Sequence, residues 1–304
     1  MSPRGLDGNT AMKFVPPHCP NEVCPNWGEP KGVFYAKKGY FRLRRNSQPI
    51  PRYRCKLCGT YFSPRTFKET AWQHRPELNR SVYHLLVSGV SQRRAAKILG
   101  CHKRTVDRKL RELGERAKAM HAEALESGEM NTTCVQIDQL ESFEHTRAKP
   151  VTIAIAVRKK TGQILGVRVG RVSTSGKLAT LGREVYGWVV DEQEKTVKGL
   201  LLDIKSAVAS GATFISDKAK RYPGWIREVF PDAQLERHKS RAGAWKRGAP
   251  KEFDPMFRVN NTFAKLRNDL GRLARKTWVT TKSRAALERH LWLYVAWTNN
   301  YPIA

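Results

Sequence analysis

Two aspartates close short apolar runs: Asp138 follows Val135-Gln136-Ile137, and Asp217 follows Phe214-Ile215-Ser216. Strand ends hold side chains rigidly, and carboxylates fixed in this way suit two-metal phosphoryl transfer, where two cations about 3.5–4 Å apart clamp the attacking and leaving oxygens. Aspartate also ends many strands for no chemical reason, so each residue alone is weak evidence. A second set of reactive side chains lies upstream. Cys19-x4-Cys24 is followed thirty residues on by Cys55-x2-Cys58-Gly59. Two close pairs of thiols suit a tetrahedral zinc site built from two knuckles, and four protein ligands leave no open position, so that zinc is structural. The alternative is four unrelated buried cysteines. His18 and His74 break the symmetry of the pairs and are read as surface or capping residues.

Charge narrows the partner. The 304 residues carry 56 Lys+Arg against 27 Asp+Glu, a formal net charge of +29. Such an excess repels itself in the folded state and is relieved by a polyanion, with release of counterions. Double-stranded DNA is the expected partner. No apolar run approaches the length of a membrane span, and no basic amphipathic helix suggests a membrane surface. The start, MSPRGLDGNTAMKF, has no apolar centre of a signal peptide, so a cytoplasmic, nucleoid-associated location is expected, where thiols stay reduced. Residues 36–56 hold eight basic residues and no acid, whereas 121–144 hold six acids and no Lys or Arg. Metal binding is one reason for an acidic island in so basic a chain.

The segment VSQRRAAKILGCHKRTVDRKLREL, residues 90–113, has the pattern of a helix-turn-helix. Ala95, Ala96, Ile98 and Leu99 form the apolar face of a short helix with Ser91 as N-cap, and Gly100 permits the turn. Val106, Leu110 and Leu113 anchor a second helix that carries Lys103, Arg104, Arg108, Lys109 and Arg111. Cationic side chains on such a helix suit the major groove of DNA. An ordinary pair of basic helices is the alternative, and Cys101 is read as packing.

These residues must be positioned by several elements. Residues 1–18 read as a leader, 19–70 as a zinc ribbon, 75–125 as the helical region and 132–304 as an α/β domain. In the last, CVQIDQL, VTIAIAV and ILGVRVG read as strands, the second and third joined around Gly162. Helices are expected over 176–189 and 193–209, then a strand at 212–216, a helix opening at Pro223, a strand AQLERH, a long helix from Pro255 to Arg275 and a last one from Arg284 to Thr298. The fold class is therefore multidomain: a small zinc ribbon, a helical helix-turn-helix and an α/β domain whose element order is that of RNase H-like domains. Trp278, Trp292 and Trp297, with Leu291 and Val295, read as core. Glu141 falls on the strand face opposite Asp138, and Glu144, His145 and His238 have the chemistry for a place near the site but read first as solvated polar residues.

With these motifs in hand, the segment DPMFRVNNTFAKLRNDLGRLARKTWVTTKS makes the chain resemble bacterial and archaeal insertion-sequence transposases of the zinc-ribbon type, from about residue 19 to 300. The resemblance implies an RNase H-like catalytic domain of the DDE type, with Asp138 the first acid and Asp217 the second. The third position, twelve residues before Arg272, is Asn260 rather than Glu, and Arg267 is the matching basic residue seven places on. Asp254 or Glu252 is the alternative third ligand. The resemblance further implies two Mg²⁺ (or Mn²⁺) ions, no nucleotide cofactor, a homo-oligomer that holds two element ends, and DNA contacts from Arg267, Arg272, Arg275 and Lys276. The rival reading is a non-catalytic DNA-binding regulator with a degenerate RNase H-like domain.

Overall fold

The computed structural model describes residues 14–43, 46–239, 254–274 and 280–303. Glu252, Arg275, Lys276 and Trp278 lie outside the described residues. The chain divides into two compact units, one through Pro76 and one from Glu77 onward.

The first unit is a three-stranded antiparallel sheet in the order β1 (Tyr35–Leu43), β2 (Asn46–Cys55), β3 (Tyr61–Phe62). Its core is the buried Cys19, Cys24 and Cys55 with Phe34, Tyr53 and Phe62. So few large apolar residues give little burial on which to fold, and metal ligation is the usual remedy. Phe14, from the expected leader, packs against Tyr53 and Phe67. His18 is likewise not a free surface residue, since its ring packs edge-on against Trp27 and Phe67.

In the second unit, α1 (Asn79–Val87), α2 (Gln92–Ile98) and α3 (Lys103–Glu126) lead into a mixed five-stranded sheet. Its strands are β4 (Thr132–Phe143), β5 (Pro150–Arg158), β6 (Ile164–Arg171), β7 (Val208–Asp217) and β8 (Gln234–His238). They lie in the order β6-β5-β4-β7-β8. β4 pairs antiparallel with β5 and parallel with β7, and β8 continues parallel to β7. Numbered within this sheet the order is 3-2-1-4-5, with the second strand antiparallel to the first. Helices cover both faces, so β5 is buried nearly throughout and reads PVTIAIAVR, a continuous apolar run.

Strand alternation divides the core in two. Leu140, Ile153, Ile155 and Ile215 face a cluster that includes α1, α3, α7 (Phe257–Asp269) and α8 (Arg284–Thr298). Val135, Ile137, Ala154 and Phe214 face α5 (Gln193–Asp203) and α6 (Tyr222–Val229). Between them in sequence, α4 (Ala179–Tyr186) leaves Leu181 and Val185 exposed. α3 and α8 approach closely at Gly114, where an added Cβ would meet Arg289 Cβ at 2.9 Å. The helical region thus shares a core with the sheet instead of standing apart.

Two expected helices end early. The one expected over 193–209 stops at Asp203, because Val208 is taken into β7 beside Thr132. The one expected to reach Arg275 stops at Asp269, where Leu270 turns extended (φ −107°, ψ 98°) and is fully buried ahead of Gly271. Trp292, Leu291 and Val295 are buried as expected, but Trp297 is 43% exposed and packs edge-on against Tyr83 and His84. No helix among the described residues is long and apolar enough to cross a membrane.

Candidate functional site

The four cysteines converge. Their sulfurs all lie within 4.8 Å of one another, with Cys19 and Cys58 Sγ 3.5 Å apart and Cys24 and Cys55 Sγ 3.9 Å apart. A tetrahedron with Zn–S bonds of about 2.3 Å has S–S edges of about 3.8 Å, so the cluster is compatible with a structural zinc site. Gly59 makes the knuckle possible: at φ 75° it bends the chain and returns its N–H to Cys55 O at 3.1 Å. The Asn26 amide donates to Cys55 Sγ. Hydrogen bonds from Thr60 hold the Cys58 thiol down to about 6, while burial pushes Cys19 up to about 12.

In the helical region Ser91 caps α2, its side chain accepting the Arg94 N–H, and Gly100 turns the chain at φ 56°. His102, rather than a residue singled out from sequence, caps α3 through Nδ1. Lys103, Arg104, Arg108 and Arg111 are exposed along α3. Lys109 is not. It is fully buried, with Nζ 2.8 Å from Glu112 Oε2, and so is out of reach of a ligand on the exposed face. Ile98, expected on the apolar face of α2, is 57% exposed. Arg272 is partly buried in the turn after α7, where burial lowers its guanidinium to about 10 despite the charge of Asp107. Arg267 lies seven residues beyond Asn260 within α7.

The two aspartates also come to one end of the sheet. β4 and β7 run parallel with Gln136 beside Ile215, and carrying that register two residues forward sets Asp138 beside Asp217 on the same sheet face. Each carboxylate uses one oxygen on local backbone. Asp138 Oδ1 accepts the Gln139 N–H at 2.7 Å, and Asp217 Oδ1 accepts the Ala219 N–H at 3.0 Å. Burial, followed by the negative charge of Asp217, pushes Asp138 up to about 7. Neither carboxylate has an ion-pair partner among the described residues. Two like charges held together in this way are eased by a cation.

α7 comes to the same face. Gln136, two residues before Asp138, accepts the Val259 N–H at 3.0 Å and donates to Pro255 O at 2.6 Å. Asn260, the next residue along the helix, is exposed, and its amide donates to Asp254 Oδ2 at 2.8 Å. The helix start that bears the expected third position is therefore anchored to the strand that bears the first acid.

Two features went unread in the sequence, and a third, His238, was set aside as a solvated polar residue. Lys218, Lys220 and Arg221 form an exposed basic turn directly after Asp217, a signal present in the run ISDKAKR. Tyr222 opens α6 with its hydroxyl buried beside the Gln139 side chain, and burial, followed by the charge of Asp138 and Asp217, raises its pKa. His238 sits in register beside Asp217. Glu141 is exposed on the opposite strand face, as alternation requires.

Comparison with protein-family models finds no match to this chain, and comparison with curated proteins finds none either.

Proposed function

We propose that the chain is a DNA transposase, in which the zinc ribbon and helix-turn-helix recognise element ends and an RNase H-like domain cuts and joins DNA. The observation that carries this reading is the parallel register of β4 and β7, which, carried two residues past its last pair, brings Asp138 and Asp217 to one level of the sheet, where the charge of Asp217 is felt at Asp138 and neither has an ion-pair partner among the described residues. The strand order 3-2-1-4-5 with its antiparallel second strand supports the RNase H-like reading. So do the basic turn after Asp217 and the net charge of +29, which favour a phosphodiester substrate.

Asp138 and Asp217 would hold the Mg²⁺ or Mn²⁺ ions through their free oxygens, with Asn260 Oδ1 an uncharged third ligand; hard cations accept amide oxygens. Bound there, the ions supply activation of the attacking oxygen, first of water and then of a 3′-hydroxyl, and stabilise the leaving oxygen. The protein's own part is to fix the carboxylates on neighbouring strands and to present Lys218, Lys220 and Arg221 to the flanking phosphates. Lys103, Arg104, Arg108 and Arg111 would enter the major groove. Transesterification conserves the number of phosphodiesters, so no nucleotide cofactor is required. A homo-oligomer follows from the need to hold two ends, and the cytoplasm, around the nucleoid, is where the substrate lies.

A second reading, a DNA-binding regulator with a degenerate catalytic domain, is favoured by one observation: the third position is neutral and already hydrogen-bonded to Asp254. Cleavage of labelled element-end DNA with Mg²⁺ or Mn²⁺ separates the two. Metal-dependent cutting lost in Asp138→Asn and Asp217→Asn supports the enzyme; tight, specific binding without cutting supports the regulator.

A further inference from the structure

The parallel register between β7 and β8 pairs Ile215 with Glu236 and Asp217 with His238. Combined with the register between β4 and β7, it makes two rows across three strands: Gln136, Ile215 and Glu236, then Asp138, Asp217 and His238. Laterally paired residues share a sheet face, with strands about 4.8 Å apart. An imidazole therefore extends the carboxylate pair by one strand. It lies on the far side from α7, which packs against β4 and β5.

We propose that His238 is a protein ligand of a divalent cation shared with Asp217, and that Glu236 is the carboxylate that orients its ring. His238 Nε2 lies 2.6 Å from Glu236 Oε1, which leaves Nδ1 as the ligating atom. Metal-bound histidines almost always give their second ring nitrogen to a carboxylate, carbonyl or water, which fixes the tautomer and makes the ligand more basic. Asp217 has an oxygen to offer, because only Oδ1 is engaged by Ala219 N–H. Imidazole is a poor ligand for Mg²⁺ relative to softer divalent ions, so of the two ions considered the site should favour Mn²⁺ over Mg²⁺.

This inference rests on the metal-dependent part of the proposed function and is tested apart from DNA cutting. Full-length, zinc-loaded protein is titrated with Mn²⁺, with free ion read by electron paramagnetic resonance and nitrogen coupling read by its pulsed form. The wild type is expected to show ¹⁴N coupling to bound Mn²⁺. His238→Asp should lose the coupling while keeping affinity within about threefold, and His238→Ala should weaken binding about tenfold or more. Asp217→Asn should remove the coupled species, and Glu236→Gln should weaken it. Coupling that survives in His238→Asp, or wild-type affinity in a folded His238→Ala, overturns the proposal. A wild type with coupling that cuts no DNA overturns the transposase reading alone; one that cuts without coupling overturns only the role of His238.

Discussion

The Asn260 side chain donates a 2.8 Å hydrogen bond to Asp254 Oδ2, and Asp254 Oδ1 accepts the Met256 N–H at 2.9 Å. Asp254 thus braces the turn that starts α7 and holds the Asn260 amide by its nitrogen, leaving the amide oxygen as an acceptor. If that oxygen ligates the ion, Asn260→Ala lowers cleavage roughly 10²-fold, the scale of one positioned electrostatic contact, and Asp254→Ala has a smaller effect. The first shell then lacks one negative charge, so the Mg²⁺ requirement should fall when DNA is present. Single-turnover cleavage across a metal titration checks both. Normal cutting by Asn260→Ala beside an inactive Asp254→Ala would transfer the role to Asp254.

Arg104 and Arg108 are expected to read bases. Each changed to Ala should cost about 1–3 kcal/mol on element-end DNA and less on random DNA. Lys109→Met serves as the contrast. It leaves Glu112 without its 2.8 Å partner, so the thermal midpoint should drop while the ratio of specific to random binding stays unchanged. Fluorescence anisotropy on both DNAs reports the ratio. A folded Lys109→Met with relaxed specificity would return that lysine to the groove.

Zinc should be found at one atom per chain in protein purified without chelator. The unit through Pro76 has a small aromatic core, so Cys55→Ser or chelation should unfold it and leave the unit from Glu77 protected. Limited proteolysis with mass spectrometry distinguishes the two units. Zinc-free protein with a protease-resistant first unit would remove the metal from the account.

Acid should destabilise the second unit through His290. This residue is buried in α8 with Nε2 donating to Leu86 O, and burial, with Arg272 adding to it, holds its pKa down to about 3. The proton taken up on acidification would go to Nδ1, which has no partner. The unfolded chain, with an ordinary histidine pKa of about 6.5, binds that proton first. Stability is therefore full above pH 6.5 and is lost as pH falls toward 3, by up to about 1.4 kcal/mol per pH unit. Urea midpoints from pH 7 to pH 4 should show this slope, and His290→Gln should flatten it. Equal slopes in both proteins would place the acid sensitivity elsewhere.

What the sequence made legible follows from how local each signal is. The cysteine spacing, the Ser91 cap, the Gly100 turn and the strands that end on Asp138 and Asp217 depend on neighbours a few residues away. Lys109 was legible too, had spacing outweighed charge: it is three residues after Val106 and four before Leu113, on the buried face. His238 was not. Its place beside Asp217 is set by the register of two parallel strands joined through α6, and nothing local to AQLERH reports that register. The early ends of α5 and α7 were hidden for the same reason, since pairing of Val208 with Thr132 and burial of Leu270 are tertiary choices.

Asp138 and Asp217 are proposed to make, together, a metal-dependent DNA-cutting centre. The most direct measurement is cleavage of end-labelled, element-end DNA by the full-length protein, with and without Mg²⁺ or Mn²⁺, beside Asp138→Asn and Asp217→Asn. The account predicts metal-dependent products ending in 3′-hydroxyls from the wild type, none from either variant, and DNA binding within about threefold of wild type in both, since neither change removes a phosphate contact. Cutting at wild-type rate by either variant, or none by the wild type with either metal, would contradict it.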